Sequence, residues 1–249
     1  MAAYGKTAVA FRVRLRDSAG KPHRTHAEAP EQYRRFRRYF QTMQIRLPSG
    51  LTAVLLLGAT TAFAESAVNP PAWPTFKESP VTLAADPVRP LLMGALRITL
   101  DGSTLADTRT AIGAGVSQRQ GQGTDALDWL CYTVSDTAPM QRFWLTSSEL
   151  SRGRIDAVVA ADLPDGATPL PQCPDLPARF KPVRFDDGLW LGGLSSELRK
   201  ALGIPAKAGA HFSSLFQGQA GSLAMISSTV IEFRAGRAVT LHVAHSTQN

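Results

Sequence analysis

His242 and His245 form an H-x-x-H spacing, which on a helix would offer two imidazoles to one metal ion. The surrounding residues read as a strand instead. Val239, Leu241 and Val243 alternate with Thr240, His242 and Ala244. Residues three apart on a strand point to opposite faces, so the pair does not converge, and His242 falls on the solvated side. His211 would add a third ligand only by an accident of folding. No metal site is expected. Asp186-Asp187 before Gly188 is an acidic pair of the kind used in acid–base chemistry, but neighbours in a turn diverge, and a solvated turn is the plainer reading. Asp125 and Asp128 beside Trp129 read the same way.

The run from Gly113 to Gly123 is rich in glycine, yet it follows a helix end and lacks G-K-[ST]. A phosphate loop leads into a helix N-terminus, so this run reads as a connection. No G-x-S-x-G, S-x-x-K, H-E-x-x-H or calcium-loop motif is present. No catalytic residue and no cofactor are therefore assigned. A triad assembled only in space leaves no such trace, so an enzyme with an unrecognised site is the alternative.

Cys131 and Cys173 are the only cysteines. Outside the reducing cytoplasm two cysteines most simply form one disulfide. The case for such a compartment comes from the N-terminal region. Met43 to Gly50 carries Arg46, Leu51 to Phe63 is an apolar core, and Ala62-Phe63-Ala64 is an A-x-A site. Residues 43–64 thus read as a signal peptide cleaved between Ala64 and Glu65. The stretch is interrupted by Pro48, Gly50 and several threonines, which makes a poor membrane anchor, and no stable span is expected after processing. Residues 1–42 read as a disordered leader, produced by a start assigned too early. The alternative is a twin-arginine signal built on Arg37-Arg38. The formal charge of +7 resides entirely in that leader, which holds ten Lys and Arg against three acidic residues. The remainder is balanced, so nucleic acid is not an expected partner.

The elements that must carry these residues begin after a Pro-rich arm over 65–90. A first segment, 91–163, shows a strand-like run at Leu91–Leu100 and a helix capped by Thr104 and closed by Gly113. Strand-like runs follow at 126–134, 141–148 and 154–161. A second Pro-rich segment spans 164–182. The last segment, 183–249, repeats the order: Leu189–Leu191, a helix with Leu194, Leu198, Ala201 and Leu202 on one face, and strand-like runs at 211–216, 222–234 and 237–245. Ser195 is the expected N-cap of that helix, and Ala235-Gly236 reads as a hairpin turn. Aligning Arg109–Gly113 with Arg199–Gly203 suggests two copies. The fold expected is α+β: two tandem repeats of helix plus antiparallel meander, packed as one sheet with helices on one face.

Gly193-Leu-Ser-Ser-Glu-Leu-Arg-Lys-Ala-Leu-Gly-Ile-Pro205 followed by Phe233-Arg-Ala-Gly-Arg-Ala-Val239 resembles the BamE/SmpA family and the related β-lactamase-inhibitor-protein fold. The resemblance implies a small envelope or secreted domain that binds other proteins. The family's lipidated cysteine has no counterpart at the cleavage site here.

Aromatic residues supply the remaining candidates. Trp129 and Cys131 share one face of their strand by parity, and Leu130 and Tyr132 the other, although a sheet with helices on one side needs one apolar face. Either the Pro-rich segments, tied down through Cys131–Cys173, cover the second face, or Tyr132, Trp144 and Trp190 form an exposed patch for a partner protein. The function expected is that of an exported, periplasmic or secreted, non-enzymatic protein-binding domain, an inhibitor or immunity protein or an envelope component.

Overall fold

The computed structural model describes residues 68–73, 80–202 and 210–248. Ala64 and Glu65, the leader and the signal segment lie outside the described residues. The fold is dominated by a mixed sheet of eight strands: β1 (Val81–Thr82), β4 (Gln118–Gln120), β5 (Leu127–Val134), β6 (Gln141–Ser148), β7 (Ala157–Asp162), β9 (His211–Ala220), β10 (Leu223–Arg234) and β11 (Arg237–Gln248). Across the sheet they run β1-β9-β10-β11-β7-β6-β5-β4. All neighbours are antiparallel except β1 with β9. A second sheet has the order β3-β2-β8, from β2 (Leu91–Met93), β3 (Leu96–Ile98) and β8 (Val183–Phe185). Among the described residues there are two α-helices, α1 (Leu105–Ile112) and α2 (Ser195–Ala201).

Cross-strand register builds the core. Tyr132, Phe143, Ala160, Leu241, Ile231 and Phe212 stand opposite one another along successive strands, so they share one face of the large sheet. All six are buried. Leu105 and Ile112 of α1, Leu198 of α2, and Leu91, Met93, Ile98, Val183 and Phe185 of the small sheet pack into the same cluster. Trp190 lies among them edge-on to Phe143, with centroids 5.9 Å apart, and donates its indole N–H to Gln141 Oε1 at 3.0 Å. Fully burying one such side chain is worth about 2–3 kcal/mol, and this face holds most of the buried apolar side chains among the described residues.

Local chemistry sets the boundaries. The Thr104 side chain accepts the Asp107 N–H at 3.1 Å, and Gly113, at φ 74°, closes α1 in the left-handed region. Ala235 (φ 49°) and Gly236 (φ 76°) make the two-residue turn between β10 and β11, a conformation that matches the twist of a hairpin. Leu194, not Ser195, occupies the N-cap of α2 and offers no capping oxygen.

The expected α+β fold of tandem helix-plus-meander repeats is overturned. The described residues are mostly β, and the two helices among them are short, with eight and seven residues. The run Leu91–Leu100 is not one opening strand. Gly94, at φ 56°, turns it into the β2–β3 hairpin. β2 then pairs with β8, so the strand that was to open the first half joins Val183–Phe185, ahead of the expected second opening strand, in a separate sheet. Leu189–Leu191 forms no strand. No helix among the described residues is long and apolar enough to cross a membrane.

Candidate functional site

β10 and β11 continue past the end of β7, and the inner face of that extension gathers a hydroxyl, an imidazole and a carboxylate. Register sets His245 opposite Ser227. His245 Nδ1 lies 2.8 Å from Ser227 Oγ and 3.4 Å from Asp86 Oδ2. Asp86 arrives from the segment after β1, where its other carboxylate oxygen accepts the Val88 N–H at 3.0 Å. Two residues along, the Thr247 N–H and hydroxyl both donate to Asp101, whose other oxygen meets Arg154 Nε at 3.3 Å.

Serine, histidine and aspartate are the ingredients of a hydrolytic triad, but the connectivity differs. A triad uses both ring nitrogens, one for the serine and the other for the carboxylate. Here both partners converge on Nδ1. Ser227 is also fully buried, at 0 % exposure. With His245 Nδ1 in contact with both Asp86 and Ser227, the cluster is a latch. It fastens the segment before β2 to the C-terminal hairpin.

Asp156 forms a second polar cluster. Its carboxylate accepts the Ser148 N–H at 2.8 Å and the Ser151 hydroxyl at 2.7 Å, and Ser148 Oγ lies 3.0 Å from Ser151 Oγ. Burial raises the Asp156 pKa, against the lowering effect of these hydrogen bonds. The group fixes the connection between β6 and β7.

The outer face of the large sheet carries the disulfide. Cys131, Trp144, Val159, His242, Val230 and Ser213 form one row across it. Cys131 is bonded to Cys173, with a Cα–Cα separation of 4.6 Å. The bond holds the Pro-rich segment against β5, where Thr133 N–H donates to the Pro174 carbonyl at 2.9 Å and the Thr133 hydroxyl to that of Cys173 at 2.8 Å. The arm closes the other side. Trp144 donates its indole N–H to the Val68 carbonyl at 3.0 Å, and Trp73 packs edge-on against His242. The two Pro-rich segments together cover the second apolar face.

This arrangement decides between the two readings of the aromatics, in favour of cover, and corrects the placement of His242. Tyr132, Trp144 and Trp190 form no exposed patch: they are 0 %, 4 % and 8 % exposed, and Trp144 faces away from the other two. Large apolar area is sealed within the chain, and the Tyr132 hydroxyl is satisfied by the Ala114 carbonyl at 2.9 Å. His242 is not solvated. It is 1 % exposed beneath the arm, and burial pushes its pKa down to about 4. His242 and His245 do lie on opposite faces, and no group of three metal-ligating side chains occurs among the described residues. His211 is exposed at the start of β9.

The acidic candidates are dispersed. Asp186 pairs with Arg97 at 3.2 Å, Asp187 accepts the Leu189 N–H at 3.0 Å, and Asp128 shares Arg119 with Glu149 at the solvent surface. Asp125 ends a short 3-10 turn. The glycine-rich connection contains β4. Sequence reasoning missed the Asp86–Ser227–His245 and Asp101–Thr247 contacts. The one available signal was polar residues at inward-facing positions of β10 and β11, where Ser227 and His245 follow the parity of Ile231 and Leu241. Comparison with protein-family models, with curated proteins and with solved structures finds no match.

Proposed function

We propose that this chain is an exported, disulfide-bonded domain that acts by binding another protein. The observation that carries the proposal is the sealing of its reactive groups: Ser227 is fully buried, His245 shares one nitrogen with two partners, and His242 lies under the arm. A buried Cys131–Cys173 bond fits an oxidising compartment, which the signal pattern of residues 43–64 also indicates. The likeness of Gly193–Pro205 and Phe233–Val239 to the BamE/SmpA pattern points towards the same class.

A periplasmic enzyme is the second reading, and it draws on the convergence of Asp86, Ser227 and His245. One experiment separates the two. Photo-crosslinkers placed in the exported chain at the exposed residues Val116 and Leu150 report a partner. Esters, peptides and cell-wall fragments are offered to the wild type and to His245→Ala in parallel. A discrete crosslinked partner that survives His245→Ala supports binding. Turnover that His245→Ala abolishes transfers the function to the cluster.

A further inference from the structure

We propose that two copies of this chain pair through the outer edge of β9, in an antiparallel arrangement with its twofold axis at Gly218. The inference goes beyond the binding reading and does not depend on it.

The edges of the large sheet differ in how they are guarded. β4 has three residues, with the charged Arg119 in the middle. Where β11 runs past β7, the outward His245 N–H is taken by the Asp156 carbonyl and the Thr247 N–H by the Asp101 carboxylate. β9 has neither protection. Its register with β1 covers Ser214 and Leu215 alone, and the chain then leaves the edge to place Asp86 against His245. Phe212 to Ala220 contains no charged residue and no proline. Long uncharged edges are what proteins normally avoid, unless another strand joins them.

The open part has the symmetry that a second copy requires. The Leu215 carbonyl points outward, since it accepts the Leu83 N–H at 2.9 Å. The β9–β10 register is unbroken, so alternation also turns the backbone N–H and C=O of Gln217 and Gln219 outward. Among the described residues no backbone partner meets them. Gln217-Gly218-Gln219 reads the same in both directions. Antiparallel pairing about Gly218 therefore sets Gln217 opposite Gln219 of the second copy, and Gln219 opposite its Gln217. Each pair exchanges both backbone hydrogen bonds. Both glutamine side chains are exposed, so their neutral amides meet across the junction with no like charges opposed. Gly218 takes the position of closest strand approach. There the Phe216 ring already lies across it, and an added Cβ would stand 2.5 Å from that ring.

The test is sedimentation of the oxidised full chain with two charge-swap variants, Gln217→Lys/Gln219→Lys and Gln217→Glu/Gln219→Glu. Both positions point their side chains to solvent, and near-ultraviolet circular dichroism checks that each variant retains its packing. The wild type is expected to dimerise with concentration. Each double variant should dissociate about tenfold more readily, because like charges then face each other twice. Mixing the Lys and Glu variants should restore a heterodimer. A wild type that stays monomeric to roughly 0.5 mM overturns the proposal. So does a dimer indifferent to both variants. A monomer whose Gln217 and Gln219 amides resist hydrogen exchange assigns the edge to another segment of the same chain, and also overturns it.

Discussion

The indole of Trp73 stands edge-on to the imidazole of His242, with ring centroids 5.0 Å apart and planes at 77°. The Pro-rich arm thereby seals a histidine that has no hydrogen-bond partner for Nδ1 among the described residues. A proton on that ring would be both desolvated and uncompensated.

Stability should fall on mild acidification because of this residue. Burial holds the folded-state pKa of His242 near 4, below the ordinary 6.5 of the unfolded chain. Between those values the unfolded chain binds a proton that the native state refuses, so unfolding becomes easier as pH drops from 6.5 to 4. The full effect is about 3 kcal/mol. Urea midpoints at pH 7 and pH 4.5 should separate for the wild type and separate less for His242→Leu. Equal separation in the two proteins would remove His242 as the cause.

Reducing Cys131–Cys173 should cost more than the loss of one contact. The bond spans 42 residues of sequence, and constraining such a loop contributes about 3–4 kcal/mol. The double variant Cys131→Ala/Cys173→Ala should unfold at lower denaturant. It should also expose Trp129 and Trp144 to acrylamide quenching in native buffer, because the covering segment is no longer tied to β5. Unchanged quenching would mean that the prolines hold the cover without the bond.

Asp156→Ala strands two donors, the Ser148 N–H and the Ser151 hydroxyl. Leaving such groups buried and unpaired costs about 2–3 kcal/mol, and Asp156→Asn, which keeps one acceptor oxygen, should lose less. Chemical denaturation of the three proteins ranks them. An alanine variant as stable as the wild type would show that water reaches the site.

Much of the strand content was legible in the sequence because it depends on local alternation. β6 spans Gln141–Ser148, the same range as the run read from the sequence, and the turn at Ala235-Gly236 is marked by Gly236, at φ 76°, although Ala235 holds a left-handed φ of 49° that non-glycine residues seldom adopt. The architecture was not legible. Helix signals at Thr104–Gly113 and Leu194–Leu202 suggested duplication, whereas the pairing of β2 with β8 joins residues some 90 positions apart and leaves no periodic mark. His242 misled for a related reason: alternation gives its face correctly but says nothing about a cover supplied by Trp73. For the aromatics, parity separated Tyr132 from Cys131, and of the two readings left open the cover by the Pro-rich segments is the one found on the outer face, while α1, α2 and the small sheet bury the inner one. The Asp86–Ser227–His245 cluster joins the segment after β1 to a hairpin more than a hundred residues further on, and no short motif could announce it.

Intact-mass analysis of the protein recovered from the envelope fraction, before and after reduction, bears most directly on export followed by closure of the outer face. A chain that starts at Glu65 and gains the mass of two hydrogens on reduction is the expected outcome. A chain that keeps residues 1–64 with both thiols free would place Cys131 and Cys173 in a reducing compartment, and the exported binding domain proposed here would have to be abandoned.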